Sequence, residues 1–236
     1  MLYFIIIAIC ISMLVDDIGA CAPCSCSPTE AYCNARGLTD IPEGLPTTIS
    51  HLRLQQNNIM SLNMTRLEKL YALTELNLGT NLLTNFQLKS GQLPMLNKLH
   101  LDYNNDLEQL FINSTSLQYL YLDGTALTCL SNQNIQTENL LYLYVEYTTT
   151  FEVLDMTHLT KLNRLWLDRT SVREIYFNNS ALRIDYLRMS YMKCDCCMLA
   201  FLQSADDEYL CYKPTPSCED FDLSSCAGNK TVCPSK

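Results

Sequence analysis

Positive charge is scarce in this chain, where 16 lysines and arginines stand against 25 aspartates and glutamates, for a formal charge of −9. A surface of that sign disfavours nucleic acid and anionic membranes as partners. Histidine is scarcer: His51, His100 and His158 stand far apart, and no serine or cysteine sits near one at the spacing of a nucleophile motif. Phosphate-binding loops, metalloprotease helices and paired catalytic carboxylates are missing as well, so the expectation is a protein that is not an enzyme and uses no cofactor and no metal. Cys194-Asp195-Cys196-Cys197 admits a thiol redox reading, but near a chain end such a cluster is more often a structural staple. Long apolar runs are equally rare. The single one, Leu2 to Val15, is too short to span a bilayer and reads as the core of a signal peptide over residues 1–20.

That signal lacks a lysine or arginine ahead of its apolar run, and Ile18-Gly19-Ala20-Cys21 also resembles a bacterial lipoprotein cleavage box. An uncleaved anchor is the other alternative. Cleavage after Ala20 removes Asp16, Asp17 and no base, taking the charge from −9 to −7, and it removes Cys10, leaving twelve of thirteen cysteines. An even number of thiols behind a signal peptide implies disulfides and an oxidising compartment. The sequons at Asn63, Asn113, Asn178 and Asn229 point the same way. With no second hydrophobic segment and a polar tail after Cys226, the sequence predicts no membrane span after signal removal and no glycolipid anchor. A secreted, extracellular protein is therefore expected.

What the chain has in plenty is leucine at a fixed interval. Apolar residues fall at positions 1, 4, 6 and often 11 of a unit beginning at Ile49, Leu73, Leu96, Leu117, Leu140, Leu162 and Ile184, in steps of 24, 23, 21, 23, 22 and 22 residues. ISHLRLQQNNI, LTELNLGTNLL and LNKLHLDYNND are its first three copies. A helix would need apolar residues at i, i+3, i+4 and i+7, and position 6 breaks that register in every copy. Positions 4 and 6 instead alternate like one face of a strand, and a single unit is too small to bury them, so neighbours must stack.

This pattern resembles the leucine-rich repeat. The resemblance implies an α/β-type solenoid, a horseshoe with a parallel concave β-sheet and disulfide-stapled caps. Residues 49–192 hold about seven repeats. Position 9 carries Asn57, Asn81 and Asn104, then Thr125, Thr148 and Thr170, and lastly Met192. An asparagine there both donates and accepts along a ladder of buried loop amides. A hydroxyl offers less, so a thinner convex side is expected over the threonine repeats. Seven glycines suffice for such a chain if its corners turn as much on that ladder as on positive φ.

Residues 21–48 resemble the N-terminal cysteine cap of extracellular leucine-rich repeat proteins. The resemblance implies bonds from Cys21 to Cys26 and from Cys24 to Cys33; a zinc site is the alternative. Residues 193–236 look like the matching C-terminal cap and a short tail, which implies Cys194 to Cys211 and Cys196 to Cys226. Tyr191-Met192 replaces the usual Pro-Trp, and Cys129, Cys197, Cys218 and Cys233 are extra. Their pairing stays open, as does a free cysteine or a disulfide-linked oligomer. The passage IPEGLPTTISHLRLQQNNI, from cap into first repeat, is most similar to the variable lymphocyte receptors of jawless vertebrates, whose stalk and anchor are absent from this sequence.

Positions 3, 5, 7 and 8 have no core duty. Eight of the fourteen tyrosines fall there, with the one tryptophan. Tyr119, Tyr121, Tyr142, Tyr144, Trp166 and Tyr186 would form one aromatic patch on adjacent strands, beginning at the fourth repeat, and such rings dominate binding hot spots. The plainer reading is that aromatics suit strands and stack across them. Asp102, Asp123, Glu146 and Asp168 would form an acidic column at position 7, where like charges repel by about 1 kcal/mol per pair even in water. Neutralisation by Lys98, Arg164 and Arg169, a ligand presenting lysine or arginine, or a calcium ion would each satisfy it. His51 and His100 are expected to be exposed polar residues. The reading is a ligand-binding protein, immune-type or at the cell surface, whose concave face takes a protein or glycan ligand. A matrix or adhesion organiser is the alternative.

Overall fold

The computed structural model describes residues 21–176 and 184–189. The proposed signal peptide, the sequons at Asn178 and Asn229, the C-terminal cap with Cys194, Cys196, Cys211 and Cys226, and the extra Cys197, Cys218 and Cys233 lie outside the described residues.

The fold is a leucine-rich repeat horseshoe. Its inner curve is one nine-stranded sheet. Two strands of the N-terminal cap, β1 (Ser25–Cys26) and β2 (Glu30–Tyr32), pair antiparallel at its edge. From β2 onward the strands run parallel: β3 (His51–Arg53), β4 (Glu75–Asn77), β6 (Lys98–His100), β8 (Tyr119–Tyr121), β11 (Tyr142–Tyr144), β13 (Arg164–Trp166) and β15 (Tyr186–Arg188). Every strand covers positions 3 to 5 of its repeat. The leucine at position 4 sets the register, pairing Leu52 with Leu76, Leu76 with Leu99, and so on to Leu165 with Leu187. Those leucines, with positions 1 and 6, form one continuous buried spine from Ile49 to Met189.

The first cap closes one end of that spine. Cys21 is bonded to Cys26 and Cys24 to Cys33, so these four thiols hold each other and no zinc. Ala31 and Cys33 lie fully buried against the core. Cys129 is also disulfide-bonded.

Behind each inner strand the chain turns outward on the position 9 side chain. The Asn81 amide donates to the carbonyls of Leu54 and Leu78, each at 3.0 Å, while its oxygen accepts the Ile59 N–H at 3.0 Å. Asn104 repeats this with Leu78, Leu101 and Leu83. The threonines do less: the Thr125 hydroxyl donates to Leu122 O, and the Thr170 hydroxyl to Leu167 O. The corners use positive φ throughout, mostly without glycine. Position 8 is left-handed in all six described repeats with a complete corner, with φ between 54° and 61°, yet only Gly124 is a glycine; Gln56, Thr80, Tyr103, Tyr147 and Arg169 accept the strain. Each left-handed residue costs roughly 1 kcal/mol. An interstrand bond offsets it, since the N–H of Gln56, Thr80, Tyr103, Gly124 and Tyr147 donates to the position 7 carbonyl of the next repeat.

The convex side carries one helical turn, α1 (Met64–Leu67), capped by the Asn63 side chain accepting from Thr65 N. Elsewhere it is built of two short parallel sheets. One joins β5 (Asn85–Leu88), β7 (Gln109–Asn113) and β10 (Ile135–Gln136); the other joins β9 (Cys129–Leu130), β12 (Val153–Asp155) and β14 (Glu174–Tyr176). Strands begin behind Asn81, in the second repeat, so α1 does not mark the change from asparagine to threonine. Among the described residues no helix is long and apolar enough to cross a membrane.

Candidate functional site

The inner sheet puts position 5 of successive strands side by side, and over four repeats that position is a ring. His100, Tyr121, Tyr144 and Trp166 stack in one row, with centroids 4.1, 4.4 and 3.9 Å apart and planes within 13°. Position 3 makes a shorter row, Tyr119 on Tyr142 at 4.3 Å. Tyr186 leans on Trp166, tilted, at 5.2 Å. All six aromatic residues expected from the sequence therefore share one surface, none of them in the core. Trp166 is half-buried between rings rather than open to water, while Leu165 and Leu167 on either side are fully buried.

The row starts one repeat earlier than expected. His100 is no isolated exposed histidine: it is half-buried, stacked on Tyr121, 3.6 Å from the Asp102 carboxylate and 3.9 Å from that of Glu75. A histidine in the position 5 column was the available signal, hidden by counting histidine as merely polar. Burial raises the Tyr121, Tyr119 and Tyr144 hydroxyls above the usual phenol range, so these rings present neutral hydroxyls at physiological pH.

The acidic column lies along the same strands. Asp168 is buried; Asp102, Asp123 and Glu146 are half-buried. Neutralisation differs from the sequence expectation. Lys98 lies 5.4 Å above the Tyr119 ring and bridges to Glu75 at 3.4 Å. Arg164 lies over Tyr142 and Tyr186, and Arg169 over Tyr147, at 5.2 to 5.8 Å. A weakly hydrated guanidinium is well suited to a ring face. Besides His100 at Asp102, Arg188 reaches the column, its Nε 2.5 Å from Asp168 and 3.9 Å from Glu146. Among the described residues Asp123 makes no ion pair; one of its oxygens accepts the Glu146 N–H at 2.7 Å. Burial, and then the neighbouring Glu146 and Asp102, push its carboxyl up to about 7, against the lowering by that N–H. Glu146 is raised too, by burial and then by Asp168, with Arg188 opposing. Burial and neighbouring carboxylates thus both favour the protonated form of Asp123 and Glu146. Among the described residues no group of three or more His, Cys, Asp or Glu side chains is disposed to hold a metal ion.

The first repeats present a different inner surface. His51 lies between Glu30 and Glu75, Arg53 pairs with Glu30, and Tyr32 donates to Glu30, so charges of both signs are matched there. The sequons at Asn63 and Asn113 sit on the convex side, in the α1 cap and at the end of β7.

Known proteins with the same periodicity can now be set beside this geometry. The chain is 29% identical to rat lumican over 205 residues, which cover 72% of this chain and 60% of lumican. It is 36% identical to mouse keratocan over 100 residues, 40% of this chain and 28% of keratocan. These relatives carry leucine-rich repeats, as this chain does. The chain therefore spans about 60% of the length of the lumican it matches. Among solved structures, human 5T4 (Wnt-activated inhibitory factor 1, trophoblast glycoprotein) matches at 19% identity and a TM-score of 0.47, over 87% of this chain and 97% of that one. No family model matches the sequence.

Proposed function

We propose that this protein is an extracellular leucine-rich repeat protein of the matrix-organising kind, which holds a macromolecular ligand on the aromatic inner face of repeats four to six by equilibrium binding without chemistry. One observation carries the reading. An unbroken row from His100 to Trp166 occupies positions that the leucine spine leaves free. Rings in that arrangement supply large contact area at low entropic cost.

The relatives support one of the two roles drawn from the sequence over the other. Lumican and keratocan are small leucine-rich proteoglycans of the extracellular matrix, which favours the matrix role over the immune or cell-surface one and over the resemblance to lymphocyte receptors. Secretion agrees with the cap disulfides and the sequons. Glycans at Asn63 and Asn113 would clothe the convex side and leave the inner face bare.

The experiment is capture from a matrix extract, with fibrillar collagen as a defined probe, by the secreted protein and by its Tyr144→Ala and Trp166→Ala forms. Loss of capture in both variants supports the inner face. Undiminished capture moves the site to an edge or a cap, and capture only of microbial or receptor proteins restores the recognition role.

A further inference from the structure

We infer that the acidic column between the two lines of aromatic side chains is a seat for the lysine or arginine side chain of a partner protein, so that the inner face selects a basic polypeptide segment rather than an acidic glycan. The inference rests on the concave-face reading above and names the chemistry of its occupant. On one side of the column stand Tyr121, Tyr144 and Trp166; on the other, at the sheet edge, stand Tyr103 and Tyr147, exposed by 48% and 46%. Between them Asp102, Asp123 and Glu146 carry more negative charge than the surrounding cations match. Asp102 Oδ1 has His100 Nδ1 at 3.6 Å and Glu146 Oε1 has Arg188 Nε at 3.9 Å, and among the described residues neither oxygen accepts a hydrogen bond.

The protein's own side chains show what fits. Arg188 enters the column at Asp168 and Glu146, and Arg169 already lies on the Tyr147 ring. A second cation over Asp123 and Asp102 would find carboxylates below and phenol rings at its flanks, combining charge-assisted hydrogen bonds with a ring face. Two glycines let Asp102 and Tyr103 lie flat against the sheet. A Cβ on Gly79 would meet the Asp102 carboxylate at 2.8 Å, and one on Gly124 would meet the Tyr103 ring at 2.8 Å. A sulfated or uronate glycan would bring like charge to the same row, and its desolvation would oppose binding.

The groups facing Asp123 are Asp102, Glu146, Tyr103, Tyr144 and Tyr147, with Arg188 and Asp168 beyond Glu146. Asp123 titrates near 7, so an arriving cation displaces its proton, and affinity falls as the solution is acidified.

Trp166, the one tryptophan, lies beside the seat and reports on it by fluorescence. The secreted protein is titrated with a short arginine-rich peptide, with the same peptide carrying neutral citrulline, and with heparin. The expected result is a saturable signal with arginine, at least about tenfold weaker with citrulline, and weaker by about tenfold near pH 5.5 than near pH 8. The double variant Asp123→Asn, Glu146→Gln, checked for an unchanged melting profile, is expected to lose about tenfold for the arginine peptide. Equal affinity for both peptides, an unaffected double variant, or a signal from heparin alone overturns the inference. If Tyr144→Ala still abolishes capture of matrix protein while the double variant does not, the binding face stands and only the basic occupant falls. If neither changes capture, both fall.

Discussion

Repeats one to three and repeats four to six hang on the same leucine spine but divide the work differently. In the first group the position 9 asparagines bind three or more backbone groups each, and the inner face cancels its own charges through Glu30, His51, Arg53, Glu75 and Lys98. In the second group the Thr125 and Thr170 hydroxyls donate to one carbonyl each, the bonds of Thr148 are 3.3 to 3.4 Å long, and the inner face carries stacked rings beside carboxylates that share too few cations. The difference teaches that a dense asparagine ladder and an aromatic, acidic inner face can occupy largely different stretches of one continuous solenoid, meeting at His100 and Asp102 of the third repeat. Stacked repeats permit this, since each answers only to its neighbours.

The comparison breaks most sharply at the ladder. Asn81→Ala leaves the buried Ile59 N–H without its acceptor and takes one of two amide donors from each of the Leu54 and Leu78 carbonyls, and is expected to cost about 3 kcal/mol in chemical denaturation. A cost equal to that of the same change at Thr148 would mean the two ladders are equivalent. Next comes the stack: Tyr144→Ala is expected to weaken ligand binding by about 2 kcal/mol, measured by calorimetry. Because the ring is sandwiched between Tyr121 and Trp166, melting should also fall, by about 1 kcal/mol.

Asp123→Asn sharpens the electrostatic side. A carboxyl raised from 3.8 to about 7 binds its proton more tightly in the folded chain than in the unfolded one. Its contribution to stability is therefore full below pH 3.8 and lost as pH rises through about 7. The asparagine variant should match the parent at acid pH and exceed it by about 1.5 kcal/mol near pH 8, read from melting curves across that range. A gain that is the same at every pH would mean the column's repulsion is not the cause. The smallest effect is expected at Thr148→Ala, about 1 kcal/mol, because all the bonds of its hydroxyl are long: it accepts the Thr125 N–H at 3.3 Å and reaches Leu122 O at 3.3 Å and Glu146 O at 3.4 Å.

The concave half of the molecule could be read from residue order because leucine spacing and strand register are one constraint: with positions 4 and 6 buried, positions 3 and 5 must face away. That places Tyr121, Tyr144 and Trp166 in line without further information. Pairing inside the column could not be read, since it depends on reach. Arg164 and Arg169 stand close in sequence to Asp168, yet their guanidinium groups settle on rings, while Arg188 arrives from the next strand. The convex side was obscure for a related reason. Its strands pair only with convex neighbours, and the connecting residues after position 11 carry no fixed apolar period. The left-handed corner at position 8 escaped notice because five unlike residues occupy it.

In an arch, the inner edges of the stones lie closer than the outer ones. The rings from His100 to Trp166 repeat every 3.9 to 4.4 Å, tighter than the 4.7 to 4.9 Å usual between backbone strands, as bending toward the hollow requires. Carbon atoms resist approach closer than about 3.5 Å, so these flat side chains act as wedges that set the tightest curvature the span can reach. A guest that slipped between two of them would open the bow at that joint, turning occupancy into a local change of curvature.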